Sequence, residues 1–200
     1  MGAREPARRA RDVLAFWFGQ ARDDDAYYEE RRAMWFTPDA ALDAQIAARF
    51  GADYALAARR RLRACRSTPR GALALIVLLD QFPRNMFRGC ERAFATDGTA
   101  LGVARALVAG GGHERLSPVE RSVAYLPFMH SEAIADQRRA VALYGKLAEA
   151  GPYVAQALSF ARRHLAVIER FGRFPGRNAA LGRASTPEEL RFLESGAAPF

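Results

Sequence analysis

The chain has 200 residues, half of them hydrophobic, with 30 basic against 22 acidic side chains, a net charge of +8 and a pI near 10.3. That is enough apolar material for a sizeable core, and no low-complexity stretch divides it, so one domain spanning 1–200 is expected. Two cysteines, Cys65 and Cys90, are too few for a disulfide framework or a zinc site, which points to a reducing, cytoplasmic setting.

The amino terminus, Met1-Gly2-Ala3-Arg4, lacks an apolar signal core, so no export is expected. From Pro6 to Phe18 a proline suited to a first helical turn precedes Val13, Leu14, Trp17 and Phe18 on one side, and Gly19 supplies a stop. Asp23-Asp24-Asp25 can cap a second helix carrying Tyr27, Tyr28, Met34 and Trp35, and Thr37-Pro38 opens a third. Leu42, Ile46 and Phe50 follow helical spacing. Gly51 either breaks that helix or leaves it running into the Arg-rich stretch that ends near Arg66.

That stretch holds Arg59, Arg60, Arg61, Arg63 and Arg66 without interleaved aromatics, and Lys146 is the only lysine in the chain. Such a pattern reads as a solvated face of an arginine-biased protein, and no nucleic-acid partner is expected.

The segment from Pro69 to Phe82 is apolar on every side between Ala72 and Leu79, which predicts a helix at the centre of the core. Its eight-residue apolar run is far short of the roughly 18 residues that read as a membrane span, so no membrane partner is expected. Asp80 follows at once. A carboxylate there opposes the negative end of the helix dipole and needs a donor, for which Arg84, Arg88 or a later arginine is the candidate.

Beyond Pro83 the chain is expected to turn through Arg84-Asn85. Thr96 or Asp97 can cap a helix with Leu101, Ala104, Leu107 and Val108, which Gly110-Gly111-Gly112 ends. Ser117-Pro118-Val119-Glu120 is a capping box, and Pro127 kinks or ends the helix it opens. A further helix is predicted from about Ser131 to Glu149, and another from Tyr153 to Phe171 with an apolar stripe of Val154, Leu158, Ala161, Leu165 and Ile168. Thr186-Pro187-Glu188-Glu189 is a second capping box before a last short helix. No stretch alternates like a strand. The fold class is therefore all-α, with about eight helices in antiparallel hairpins.

Three polar segments stand out: Asp80-Gln81-Phe82-Pro83-Arg84-Asn85, the run Tyr125-Leu126-Pro127-Phe128 with His130-Ser131-Glu132 and Asp136-Gln137, and Phe171-Gly172-Arg173-Phe174-Pro175 with Arg177-Asn178 and Leu181-Gly182-Arg183. In this order they resemble the bacterial family catalogued as domain of unknown function 924, from about Val13 to Leu193. The resemblance implies a fold similar to the tetratricopeptide-repeat superfamily, built from helical hairpins, and no established activity. One departure is Gly176, where the family's last motif usually carries histidine.

The residues themselves suggest one polar site where the three segments meet. His130, Glu132 and Asp136 can act as acid and base, Glu132 and Asp136 being four apart on one predicted helix face. Asp80, Arg84, Asn85, Arg173, Arg177, Asn178 and Arg183 can hold a phosphate or carboxylate. The helical di-iron and His-Glu-x-x-His spacings are absent, so neither a metal nor another cofactor is expected. The competing reading is that arginines and carboxylates pair structurally. His164, on the apolar face of its helix, reads as a core histidine. Two functions from different classes stand: a small-anion site with proton transfer or hydrolysis, and a scaffold binding a protein partner, which exposed Tyr27, Tyr28 and Trp35 would favour.

Overall fold

In the computed structural model, which describes residues 4–20 and 25–196, the apolar run after Pro69 forms the helix that the others surround. Among the described residues the chain is all-helical, with short 3-10 turns and no strand. Asp23 and Asp24 of the expected acidic cap, and Met1-Gly2-Ala3, lie outside the described residues.

Helix α1 (Arg4–Phe18) packs on the central helix through Val13, Leu14 and Trp17, and ends at Gly19 with φ +60°. Helix α2 (Asp25–Phe36) returns to satisfy that end: the Tyr27 hydroxyl donates to Phe18 O at 2.8 Å and Trp35 Nε1 to Trp17 O at 3.0 Å. Trp17 and Trp35 stack, so these bonds sit inside an aromatic core rather than at a surface. Helix α3 (Ala40–Ala58) is capped by Asp39 and runs through Gly51 without a break. It stops at Ala58, where Arg60 takes a left-handed φ of 58° and Leu62 turns into the core. The Arg-rich stretch is therefore exposed but not a continuation of α3.

The central element starts as α4 (Pro69–Ile76), with Thr68 accepting from Gly71 N, and passes through a π-helical turn (Val77–Gln81) into α5 (Phe82–Met86). Helices α1, α3, α6 and α7 all touch it or its π turn. The predicted end near Phe82 is thus too early, and the reason is local. The π turn lets Phe82 N reach Val77 O, five residues back, so Pro83 can follow without breaking the axis. Pro83 has no N–H for the carbonyl four residues back. The Thr96 hydroxyl donates to that oxygen, Leu79 O, at 2.6 Å, and Arg84 donates to Asp80 O. Thr96, expected as a cap, serves α5 instead, and α6 (Asp97–Ala109) has no side-chain cap.

Helix α7 (Pro118–Ala124) begins with the predicted capping box, and α8 (Leu126–Met129) follows after a break at Tyr125. Helix α9 (Ile134–Leu147) starts three residues later than Ser131. It packs along α10 (Pro152–Phe171) as a hairpin, and α11 (Pro187–Glu194) opens with the second capping box. No described helix is long and apolar enough to cross a membrane.

Two stability effects follow. Thr96→Val leaves the buried Leu79 carbonyl without its donor and should lower unfolding free energy by about 1–3 kcal/mol in denaturant melts, with Thr96→Ser close to wild type. Gly51 has a helical interior position with nothing within 4 Å of an added Cβ, so Gly51→Ala should raise stability by about 0.5–1 kcal/mol.

Candidate functional site

The π turn places the Asp80 carboxylate in the protein interior, wholly buried. Both of its oxygens accept from His130 Nδ1, at 2.8 and 2.9 Å, and Gln81 donates to the same group. Burial alone would raise its pKa, but the Arg84 charge and His130 outweigh that and hold it below the usual carboxylate range. A carboxylate can only accept, so the proton lies on His130 Nδ1 and Nε2 is the unprotonated nitrogen of the neutral ring. Burial, helped by Arg84, pushes the His130 pKa down against the pull of Asp80, which keeps the ring neutral at neutral pH.

His130 sits between α8 and α9 on a loop tied from below. Gln137, fully buried on the first turn of α9, donates to Met129 O and Ser131 O, both at 2.6 Å. From the other side Arg177, in the 3-10 turn Pro175–Arg177, donates to His130 O at 3.0 Å. The Arg177 guanidinium lies between the rings of Phe94 and Phe174, with centroids 4.9 and 4.4 Å away. Among the described residues its buried Nε has no hydrogen-bond partner, and its nearest carboxylate, Asp97, is 3.6 Å away. Desolvation and the neighbouring Arg84 bring its pKa down to about 10, still charged at neutral pH. Arg84 itself grips Asp97 through two bonds of 2.9 Å.

Arg84, His130 and Arg177 line a cavity of about 500 Å³ whose walls include Trp35, Phe94, Leu126 and Phe160. His164 also lines it. On α10 its Nδ1 donates to Phe160 O at 2.8 Å, its ring lies 6.4 Å from that of His130, and desolvation lowers its pKa to about 3. The apolar stripe correctly placed His164 on the buried face, but that face borders a cavity. Arg32 and Arg88 on its wall were not singled out as binding residues either.

The other expected site residues do not line this cavity. Glu132 and Asp136 do not form a pair, because α9 begins after Glu132 and the two no longer share a helix face. Glu132 accepts two bonds from Arg183 and one from Phe174 N, while Asp136 accepts three from Arg105 and one from Ser131. Arg173 grips Glu189 and donates to Ala184 O; Asn178 bridges Ser185, Glu189 and Arg183. Asn85 and Arg88 share Asp43. These groups dock the segment after α10 and tie helices together. Asp80, whose expected donor was an arginine, takes its close bonds from His130 and Gln81, with Arg84 at 3.5 Å.

The site thus defines an all-α protein in which a buried Asp–His pair faces an arginine-rich cavity. The chain belongs to the family described as "Bacterial protein of unknown function (DUF924)", whose family model matches residues 13–197, as the three motifs implied. It is similar to the solved structure of a protein of unknown function, ATU0120, from Agrobacterium tumefaciens. The two are 40% identical over 96% of this chain and 100% of that one, with a TM-score of 0.83. No curated protein matches the chain.

The ties to the C-terminal segment should be pH-sensitive. Hydrogen bonding from Arg173 holds the Glu189 pKa at about 2, and bonds from Arg183 and Phe174 N hold Glu132 below its usual range despite burial. Folded pKa values below unfolded ones mean stabilisation that is present above the ordinary carboxylate range and lost as pH falls through the folded values. The thermal midpoint should therefore drop between about pH 4.5 and 2, and Glu189→Gln should flatten part of that drop.

Proposed function

We propose that this protein binds a small organic anion in the cavity, its carboxylate or phosphate directed at the arginines and its apolar body against the aromatic wall. The observation that carries this is the sign of the lining. Arg32, Arg84, Arg88 and Arg177 reach the cavity, His130 and His164 line it as neutral rings, and among the described residues no aspartate or glutamate lines it. Asp97 and Asp43, the carboxylates that pair with Arg84, Arg177 and Arg88, do not line the cavity, so the charge its wall presents is positive. A volume of about 500 Å³ lies within the ordinary size of small-ligand sites. The aromatics whose exposure would favour a partner-docking surface, Tyr27, Tyr28 and Trp35, are buried, and Tyr28 and Trp35 line the cavity instead.

The test is a melting and calorimetry screen with benzoate, glutarate, butyrate and phenyl phosphate, each beside a neutral amide or alcohol of the same shape. A ligand that binds only the folded protein raises its melting temperature. The anions should raise it and the neutral analogues should not. Arg32, about a third exposed and paired among the described residues with Glu29 on its own helix, can be removed without disturbing the core. Arg32→Ala should weaken binding about two- to fivefold. Equal shifts from neutral analogues, or no shift from any anion, would overturn the reading.

A further inference from the structure

We infer that Asp80 and His130 form a general-base pair that drives water onto the acyl carbon of a small ester held in the cavity. This rests on the anion-binding reading above and adds a reaction to it. His130 is the catalytic residue and Asp80 the positioning residue.

The geometry carries the assignment in three parts. Asp80 accepts from Nδ1 with both oxygens, which fixes the tautomer and the ring plane and leaves Nε2 as the proton acceptor. Among the described residues Nε2 has no hydrogen-bond partner, and His130 lines the cavity. A tie made only for stability would need the Asp80 contact alone, not a basic nitrogen on a cavity wall.

The second part is the attacking group. The hydroxyls of Ser122 and Tyr144 on the wall are already donated, to Val119 O at 2.7 Å and Ser122 O at 2.6 Å. Neither stands against His130 as an activated nucleophile, and burial raises the pKa of Tyr28, the third hydroxyl on the wall, so the attacking group is water.

The third part is the electrophile. Phosphoryl transfer passes through a loose transition state that gains little from a base, whereas attack on an acyl carbon gains from both a base and a cation near the oxyanion. Arg84 and Arg177, beside His130, supply that charge and leave Arg32 and Arg88 for the substrate's carboxylate, and Leu126 and Phe160 suit an acyl chain.

In the step itself, Nε2 takes a proton from water as the water oxygen bonds to the acyl carbon and the carbonyl electron pair moves onto oxygen. Collapse of this oxyanion breaks the acyl–oxygen bond, and His130 returns its proton to the leaving alkoxide. The products are an alcohol and a carboxylic acid, which ionises to solvent; nothing is oxidised or reduced.

The groups that set the pH response of His130 are Asp80, Arg84 and Arg177 directly, with Asp97, Glu132 and His164 next to them. Tyr28, Arg32, Arg88 and Tyr144 line the same cavity.

The probes are the mono-p-nitrophenyl ester of glutaric acid, its neutral counterpart p-nitrophenyl butyrate, and p-nitrophenyl phosphate, with glutarate binding followed separately by calorimetry. The glutaryl ester should be hydrolysed fastest, with a rate that falls as pH drops through a pKa below the ordinary histidine value of 6.5. His130→Gln should cut kcat on the order of 10²–10⁴-fold while leaving glutarate binding within a few-fold. Asp80→Asn should lower kcat and displace the pH profile. Glutarate binding without ester hydrolysis, or hydrolysis that His130→Gln leaves intact, overturns the base assignment while the anion site stands. Hydrolysis of the butyrate ester as fast as the glutaryl ester, with no glutarate binding, sustains the base and removes the anion reading instead. Should His130→Gln fail to fold, the absence of a solvent deuterium isotope effect on wild-type kcat overturns the proposal.

Discussion

Burying the Asp80 carboxylate inside an apolar helix costs several kcal/mol unless donors are brought to it, and the polar architecture of this protein is arranged around supplying them. His130 arrives from the loop between α8 and α9, Gln81 from the π turn itself, and Arg84 from the next turn of the same helix. Arg84 in turn needs an anion, which Asp97 provides at the start of α6, and Asp97 also draws in Arg177. Arg177 closes the circuit by donating to the backbone of His130. Removing any member would leave a neighbouring charge or dipole buried without its complement, so four distant parts of the chain are held in one arrangement.

The irregularity of the central helix is what makes room for this. A regular α-helix through Pro83 would lose a bond and force the proline ring against the preceding turn. The π turn removes the conflict but frees backbone carbonyls in the middle of the core, and Thr96 and Arg84 meet them. Asp80 lies within that turn. The same local widening that accommodates the proline therefore sets the carboxylate toward His130.

Arginine serves two purposes here that residue type alone does not separate. Arg105, Arg173 and Arg183 each present a fork to one carboxylate, on Asp136, Glu189 and Glu132. They dock α9 and the segment after α10. Arg177 is held instead by two aromatic faces and a backbone carbonyl, with no carboxylate of the described residues closer than 3.6 Å. It keeps its charge facing a cavity that the other three do not reach.

By itself the sequence determined the all-α class, the fully buried helix after Pro69, both proline-led capping boxes and the family, because caps and apolar periodicity are local properties that neighbouring residues set. It also marked the three motifs, of which Arg84, His130 and Arg177 reach one cavity, with Asp80 behind them. Only the tertiary structure decided which motif residues face that cavity and which tie the fold. The deciding partners are far away in the chain, 51 residues between Glu132 and Arg183 and 31 between Arg105 and Asp136. Spacing along a helix says which side chains share a face, but whether a charged face meets a carboxylate or an open cavity depends on how the helices pack.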